Sequence, residues 1–129
     1  MGQAVKQPRV ALIVEDEDEV RDLAAALLEE TDLEVVETGN TQEAMNYLSG
    51  NAGDVAFLFA DVRTSSRLDG VDLARTVRTK WPWVRVVLTS GAPLGDDLDK
   101  GLRNVRFMPK PWRALDVLME AEKALAHRS

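Results

Sequence analysis

Asp61 closes the run Val55-Ala-Phe-Leu-Phe-Ala60, six apolar residues without Gly or Pro. Such a run fits a short strand buried on both faces of a parallel sheet. A carboxylate at its end leaves the core at the strand's C-terminal edge, where open α/β sheets keep their ligand crevices. Three other short runs also end on polar groups. Arg9 to Val14 stops on Glu15 and Asp16, Val84 to Leu88 on Thr89-Ser90-Gly91, and Arg106 to Met108 on Pro109-Lys110-Pro111. If these strands lie parallel in one sheet, their ends bring carboxylates, hydroxyls and an ammonium to one edge. At an effective dielectric of about 20, two carboxylates about 4 Å apart repel by roughly 4 kcal/mol, so three together need a cation or a raised pKa. Mg²⁺, which takes one or two carboxylates plus waters and phosphate oxygens, meets that need. The lysine and the hydroxyl then offer donors to the oxygens of a transferred phosphoryl group. The chemistry is that of a phosphoryl acceptor rather than a hydrolase.

The segments between these runs alternate with them as helices. Glu15 to Glu19 are five consecutive acids; from Glu17 to Glu30 the positions Val20, Leu23, Ala24, Leu27 and Leu28 recur at helical spacing, with acids in the first turn suiting the helix dipole. Leu33 to Thr38 reads as a second strand, and Thr41 as the N-cap of a helix over Gln42 to Leu48. Arg63 to Leu68 is a polar loop. Asp69-Gly70 opens a third helix with Val71, Leu73, Ala74 and Val77 as its apolar stripe, ended by Trp81-Pro82. Ala92 to Asn104 has few apolar anchors, so a helix there, if present, is expected to be short and comparatively mobile. Pro109 puts the fifth strand at a sheet edge. Arg113 to His127 forms the last helix, with Leu115, Leu118, Met119 and Leu125 as its packed positions. Alternating units of this kind predict an α/β three-layer sandwich, in which a five-stranded parallel sheet is flanked by five helices; 2-1-3-4-5 is a common strand order for it.

Length and composition fit this reading. The 129 residues make one domain with a core over about 9–127, large enough to stand without staples. No Cys is present, which excludes thiol chemistry and suits a cytoplasmic setting. No apolar run reaches membrane-spanning length, and a net charge of −6 disfavours nucleic acid. Trp81, Trp83 and Trp112 are therefore read as packing residues. His127, the only histidine, sits near the end of the last helix and leaves no basis for a Ser-His-Asp triad.

Taken in order, Val10-Ala-Leu-Ile-Val-Glu-Asp-Glu, Phe59-Ala-Asp-Val, Asp69-Gly70, Val86-Val-Leu-Thr-Ser-Gly and Phe107-Met-Pro-Lys-Pro-Trp resemble the receiver domains of two-component response regulators. The likeness covers nearly the whole chain and points to a single-domain, chemotaxis-type regulator of flavodoxin-like fold. It implies that Asp61 accepts a phosphoryl group from a histidine kinase or a histidine phosphotransfer protein. Glu15, Asp16, Asp61 and the backbone carbonyl of Arg63 would hold Mg²⁺. Thr89 would hydrogen-bond the phosphoryl group, Lys110 would pair with it, and the Lys110–Pro111 peptide would be cis. Thr89 and Phe107 would act as the switch, remodelling the face made by the Ala92–Asn104 helix, the fifth strand and the last helix, where a downstream protein docks. The resemblance implies no enzyme beyond self-phosphorylation and slow dephosphorylation, no nucleic-acid or membrane partner, and a monomer or weak dimer.

The chain departs from the family's usual pattern in four places. Glu15 stands where an Asp is usual and is one methylene longer. The loop from Asp61 to Asp69 is one residue longer than usual and lacks a Met-Pro pair. Phe107 has no hydroxyl. Arg63 and Gly91 occupy the two positions that adjust phosphoryl lifetime, and together they imply a long-lived phosphoaspartate. Two rival readings are a receiver fold that only binds partners, and a small enzyme of related architecture. Intact Asp16, Asp61, Thr89 and Lys110 argue against the first. Against the second, a flavodoxin-like protein would want a Ser/Thr/Gly phosphate cradle where the acids stand, and an aspartate phosphatase a second Asp at Arg63.

Overall fold

In the computed structural model, residues 7–63, 69–91, 102 and 104–126 are described. Five strands, β1 (Val10–Val14), β2 (Glu34–Thr38), β3 (Val55–Asp61), β4 (Arg85–Ser90) and β5 (Val105–Pro109), form one sheet in the order β2-β1-β3-β4-β5. All four pairings are parallel. Four helices accompany them among the described residues: α1 (Asp18–Leu28), α2 (Thr41–Asn51), α3 (Gly70–Lys80) and α4 (Ala114–Ala126). The fifth helix, predicted over Ala92 to Asn104, falls almost entirely outside the described residues. None of the described helices is long and apolar enough to cross a membrane.

The inner strands β1 and β3 are buried along their whole length because the sheet is covered on both faces, whereas the edge strands β2 and β5 carry charged residues, and the period-two alternation of a strand divides the apolar side chains between two cores. Leu12, Val14, Leu58, Ala60, Val86 and Leu88 face α2 and α3, where they meet Ala44, Leu48, Val71, Leu73 and Val77. Ala11, Ile13, Phe57, Phe59 and Val87 face α1 and α4, where they meet Ala24, Leu28, Val117 and Ala121. Each large apolar side chain fully removed from water contributes about 1.5–3 kcal/mol, so both faces hold the strands in register. That register sets Asp61 beside Thr89, and Thr89 beside Met108.

Several local expectations shift. Asn40 rather than Thr41 caps α2, its side chain accepting from the Glu43 N–H at 2.9 Å, and Thr41 is buried in the first turn. β4 runs on to Ser90 and β5 to Pro109. The inner stripe of α4 is Val117, Glu120, Ala121 and Ala124, whereas Leu115 and Met119 are 67% and 49% exposed. Leu23 of α1 is likewise outward. In both helices small alanines let the helix lie close to the sheet, and Leu23, Leu115 and Met119 are left on the outer flank. Trp81 packs on the core beside α3, and Trp112 meets the Phe59 ring edge-on at 5.4 Å. Trp83 is exposed but donates its indole N–H to the Ala52 carbonyl at 3.2 Å.

Candidate functional site

The C-terminal ends of β1, β3, β4 and β5 meet at one edge of the sheet. Glu15 follows β1 directly and is buried, with every polar backbone and carboxylate group held. Its N–H donates to the Thr38 carbonyl at 3.1 Å, and its carbonyl accepts from Arg21 Nη1 at 3.0 Å. Its Oε2 accepts from the Glu17 N–H at 3.1 Å, and its Oε1 from Lys110 Nζ at 2.8 Å. Asp61, also buried, accepts from Lys110 Nζ at 2.7 Å through Oδ2 and from the Arg63 N–H at 3.1 Å through Oδ1. Lys110 reaches this point because its own N–H donates to the Ser90 carbonyl at 2.9 Å, which extends the β4–β5 pairing past the strand end. The Lys110–Pro111 peptide is cis.

Asp16, exposed at the mouth, brings a third carboxylate: one oxygen each from Glu15, Asp16 and Asp61 lie within 4.8 Å of one another. Lys110 is the cation that pairs with this group among the described residues, so two negative charges are left unbalanced. The electrostatics reflect the crowding. Burial pushes the Glu15 carboxyl above its ordinary value and the Asp61 charge adds to the rise, against the opposing pull of Lys110 and the Glu17 N–H. Burial works against the charge of Lys110, yet its hydrogen bonds to Asp61 and Glu15 outweigh that and raise it above the usual lysine value. The donor set, three carboxylate oxygens in reach of one ion, fits a hard divalent cation such as Mg²⁺. An open pocket of about 350 Å³, lined by Asp16, Glu17, Asp61, Arg63, Ser90, Gly91 and Lys110, gives room for the ion's waters and a phosphoryl-sized group.

Residues 11–121 match the family profile of the response regulator receiver domain. The chain belongs to that family. Solved structures agree on the fold. A response regulator receiver protein from Sinorhizobium medicae superposes with a TM-score of 0.83 at 20% identity, covering 95% of this chain and 98% of that one. The receiver domain of NtrX from Brucella abortus is 28% identical with a TM-score of 0.74, covering 90% of this chain and 98% of the other. Against a longer NtrX chain in complex with ADP, the match covers 92% of this chain but 27% of that one, with a TM-score of 0.76.

As a receiver domain, the chain brings together Glu15, Asp16, Asp61, Arg63 and Lys110 at one pocket. Thr89 is 2% exposed and stands beside Asp61 in register, its carbonyl accepting from the Val62 N–H at 2.8 Å. Phe107 lies half-buried one strand away, beside Leu88 and against the core on the α2/α3 side. Two contributors escaped the sequence reading. Gly70 starts α3 against the end of β3: its N–H donates to the Val62 carbonyl at 2.8 Å, and a Cβ there would meet the Asp61 carbonyl and sit 2.8 Å from Val62 Cα. The Asp69-Gly70 pair was visible, but its reason, close approach of a helix to the backbone of Asp61 and Val62, is a tertiary fact. Arg21 is the other. Its signal in sequence was a cation in the first turn of an otherwise acidic helix start.

Proposed function

We propose that this receiver domain accepts a phosphoryl group on Asp61 from a phosphohistidine, with Mg²⁺ as cofactor, and signals by a change of surface. The observation that carries the reading is Lys110 Nζ held within 2.8 Å of both the Glu15 and Asp61 carboxylates. A site balanced for structure alone would not crowd three acids around one ammonium. Glu15, Asp16, Asp61 and the Arg63 backbone carbonyl would hold Mg²⁺, which when bound neutralises charge on the acids and on the phosphoryl oxygens. A carboxylate oxygen of Asp61 attacks phosphorus; the P–N bond of the donor imidazole breaks, and the imidazole leaves on its own protein. Lys110 exchanges its bond to Asp61 for one to a phosphoryl oxygen, and the Arg63 N–H keeps the carboxylate oriented. Both act as fixed donors where charge develops.

Phosphorylation adds about −1.5 to −2 charges at a buried point. Thr89, already beside Asp61, turns its hydroxyl toward the new oxygens, and Phe107 follows into the space released. The rearrangement passes to β5, α4 and the segment between β4 and β5, where a downstream protein docks. Phosphoryl lifetime is set at the pocket rim by Arg63 and Gly91. The test is incubation with acetyl phosphate and Mg²⁺ followed by intact-mass measurement. The wild type gains one phosphoryl group and Asp61→Asn gains none. Absence of the gain in wild type, or an equal gain in the variant, overturns the proposal and favours a domain that only binds partners.

A further inference from the structure

Arg21 stands in the first turn of α1, where a cation opposes the positive end of the helix dipole. Something else must retain it there. Its side chain, only 22% exposed, makes three contacts in three directions: Nη1 donates to the Glu15 carbonyl at 3.0 Å, Nη2 to Asp18 Oδ1 at 2.6 Å, and Nε lies 3.7 Å from Glu37 Oε1 on β2. The guanidinium therefore ties the start of α1 to the end of β2 through the peptide that joins Glu15 to Asp16. Without it that carbonyl loses its donor, and the acidic turn is free to relax away from its own repulsion. We infer that Arg21 is a positioning residue, which holds the turn after β1 in the shape that directs Glu15 and Asp16 toward Asp61. The inference rests on the reading of these three acids as a Mg²⁺ site.

Charge and position give opposite signs here. Arg21 is a cation near an acidic site, so by Coulomb interaction alone its removal strengthens Mg²⁺ binding. As a positioning residue its removal weakens binding, in the way that groups orienting metal ligands cost affinity when lost, about tenfold or more. Calorimetric titration of MgCl₂ into wild type, Arg21→Gln and Arg21→Lys separates the two. Arg21→Gln is expected to raise the Mg²⁺ Kd about tenfold, and Arg21→Lys, which keeps charge and stem but loses the planar fork, by an intermediate factor. In the metal-free variants the Glu17 amide, bonded to Glu15 Oε2, is expected to exchange faster with solvent than in wild type, while amides of β3 are unchanged. Should Arg21→Gln fail to fold by circular dichroism, Arg21→Lys carries the test with the same two readouts. A wild type that binds Mg²⁺ with variants that bind it equally or more tightly overturns the role of Arg21 alone. A wild type that does not bind Mg²⁺ overturns the reading of the site itself.

Discussion

Glu120 of α4 is 3% exposed, yet it is over-supplied with positive charge: Arg85 Nε donates to its Oε1 at 2.8 Å, and Lys123 Nζ lies 3.5 Å from Oε2. Arg85 begins β4. At the other end of the same strand, past Ser90, Lys110 is the one cation paired with Glu15 and Asp61 among the described residues, with Asp16 close by. Both ends therefore take carboxylates out of water, a step that costs several kcal/mol per ion unless a partner compensates. At the Glu120 end the compensation is complete, and the pair fixes α4 to the sheet. At the Lys110 end it stops short, and the charge left over is the capacity to take up an ion. A buried ionic group reveals little about function by itself; the balance of charge around it separates a fastening from a site.

Removing each cation should expose that contrast. Lys110→Ala is expected to give the largest effect, a fall of about 10²-fold in the rate of phosphorylation by acetyl phosphate, because the fixed donor to the phosphoryl oxygens is lost. Its fold should survive, since the Glu17 and Arg63 N–H groups still hold the Glu15 and Asp61 carboxylates. Arg85→Ala should do the reverse. It leaves Glu120 buried with only the longer Lys123 contact, costing about 2 kcal/mol in a denaturant melt, with the phosphorylation rate unchanged. If the two variants exchange these signatures, the contrast between the ends is wrong.

Two smaller effects sharpen the picture. Arg63→Asn should raise the dephosphorylation rate severalfold, read by decay of the phosphorylated mass, by opening the rim to an attacking water. Glu15→Gln tests the charge deficit through pH. Because the folded pKa of Glu15 is raised above 4.5, chiefly by burial, the folded chain binds its proton more tightly than the unfolded chain does. Its contribution to stability is therefore fully present below the unfolded value and lost as pH rises through the folded one. A permanently neutral Gln should make the metal-free protein slightly more stable than wild type at pH 7, with the difference vanishing in acid, while Mg²⁺ affinity falls.

Much of this site was legible in the sequence because apolar runs broken by polar residues mark strand ends, and a parallel sheet gathers such ends at one edge. Val55 to Asp61 and Arg9 to Glu15 needed nothing more. Helix faces were harder. In α4, both the leucine and the alanine positions recur with helical spacing, and packing distance decided for Val117, Ala121 and Ala124 over Leu115 and Met119. Glu120 was hidden for a related reason: its partner, Arg85, lies 35 residues away, and only the docking of α4 brings them together. Gly70 and Arg21 share that character, since each serves a backbone carbonyl, and spacing carries no trace of it.

The most direct test of the contrast is a Mg²⁺ titration of the isotope-labelled protein followed by amide resonances. The contrast between the two ends requires that amides of residues 15–17, 61–63 and 89–91 shift along one saturating curve at millimolar Mg²⁺, while those of 85 and 117–123 stay in place. Equal shifts at both ends of β4, or none at either, would contradict it.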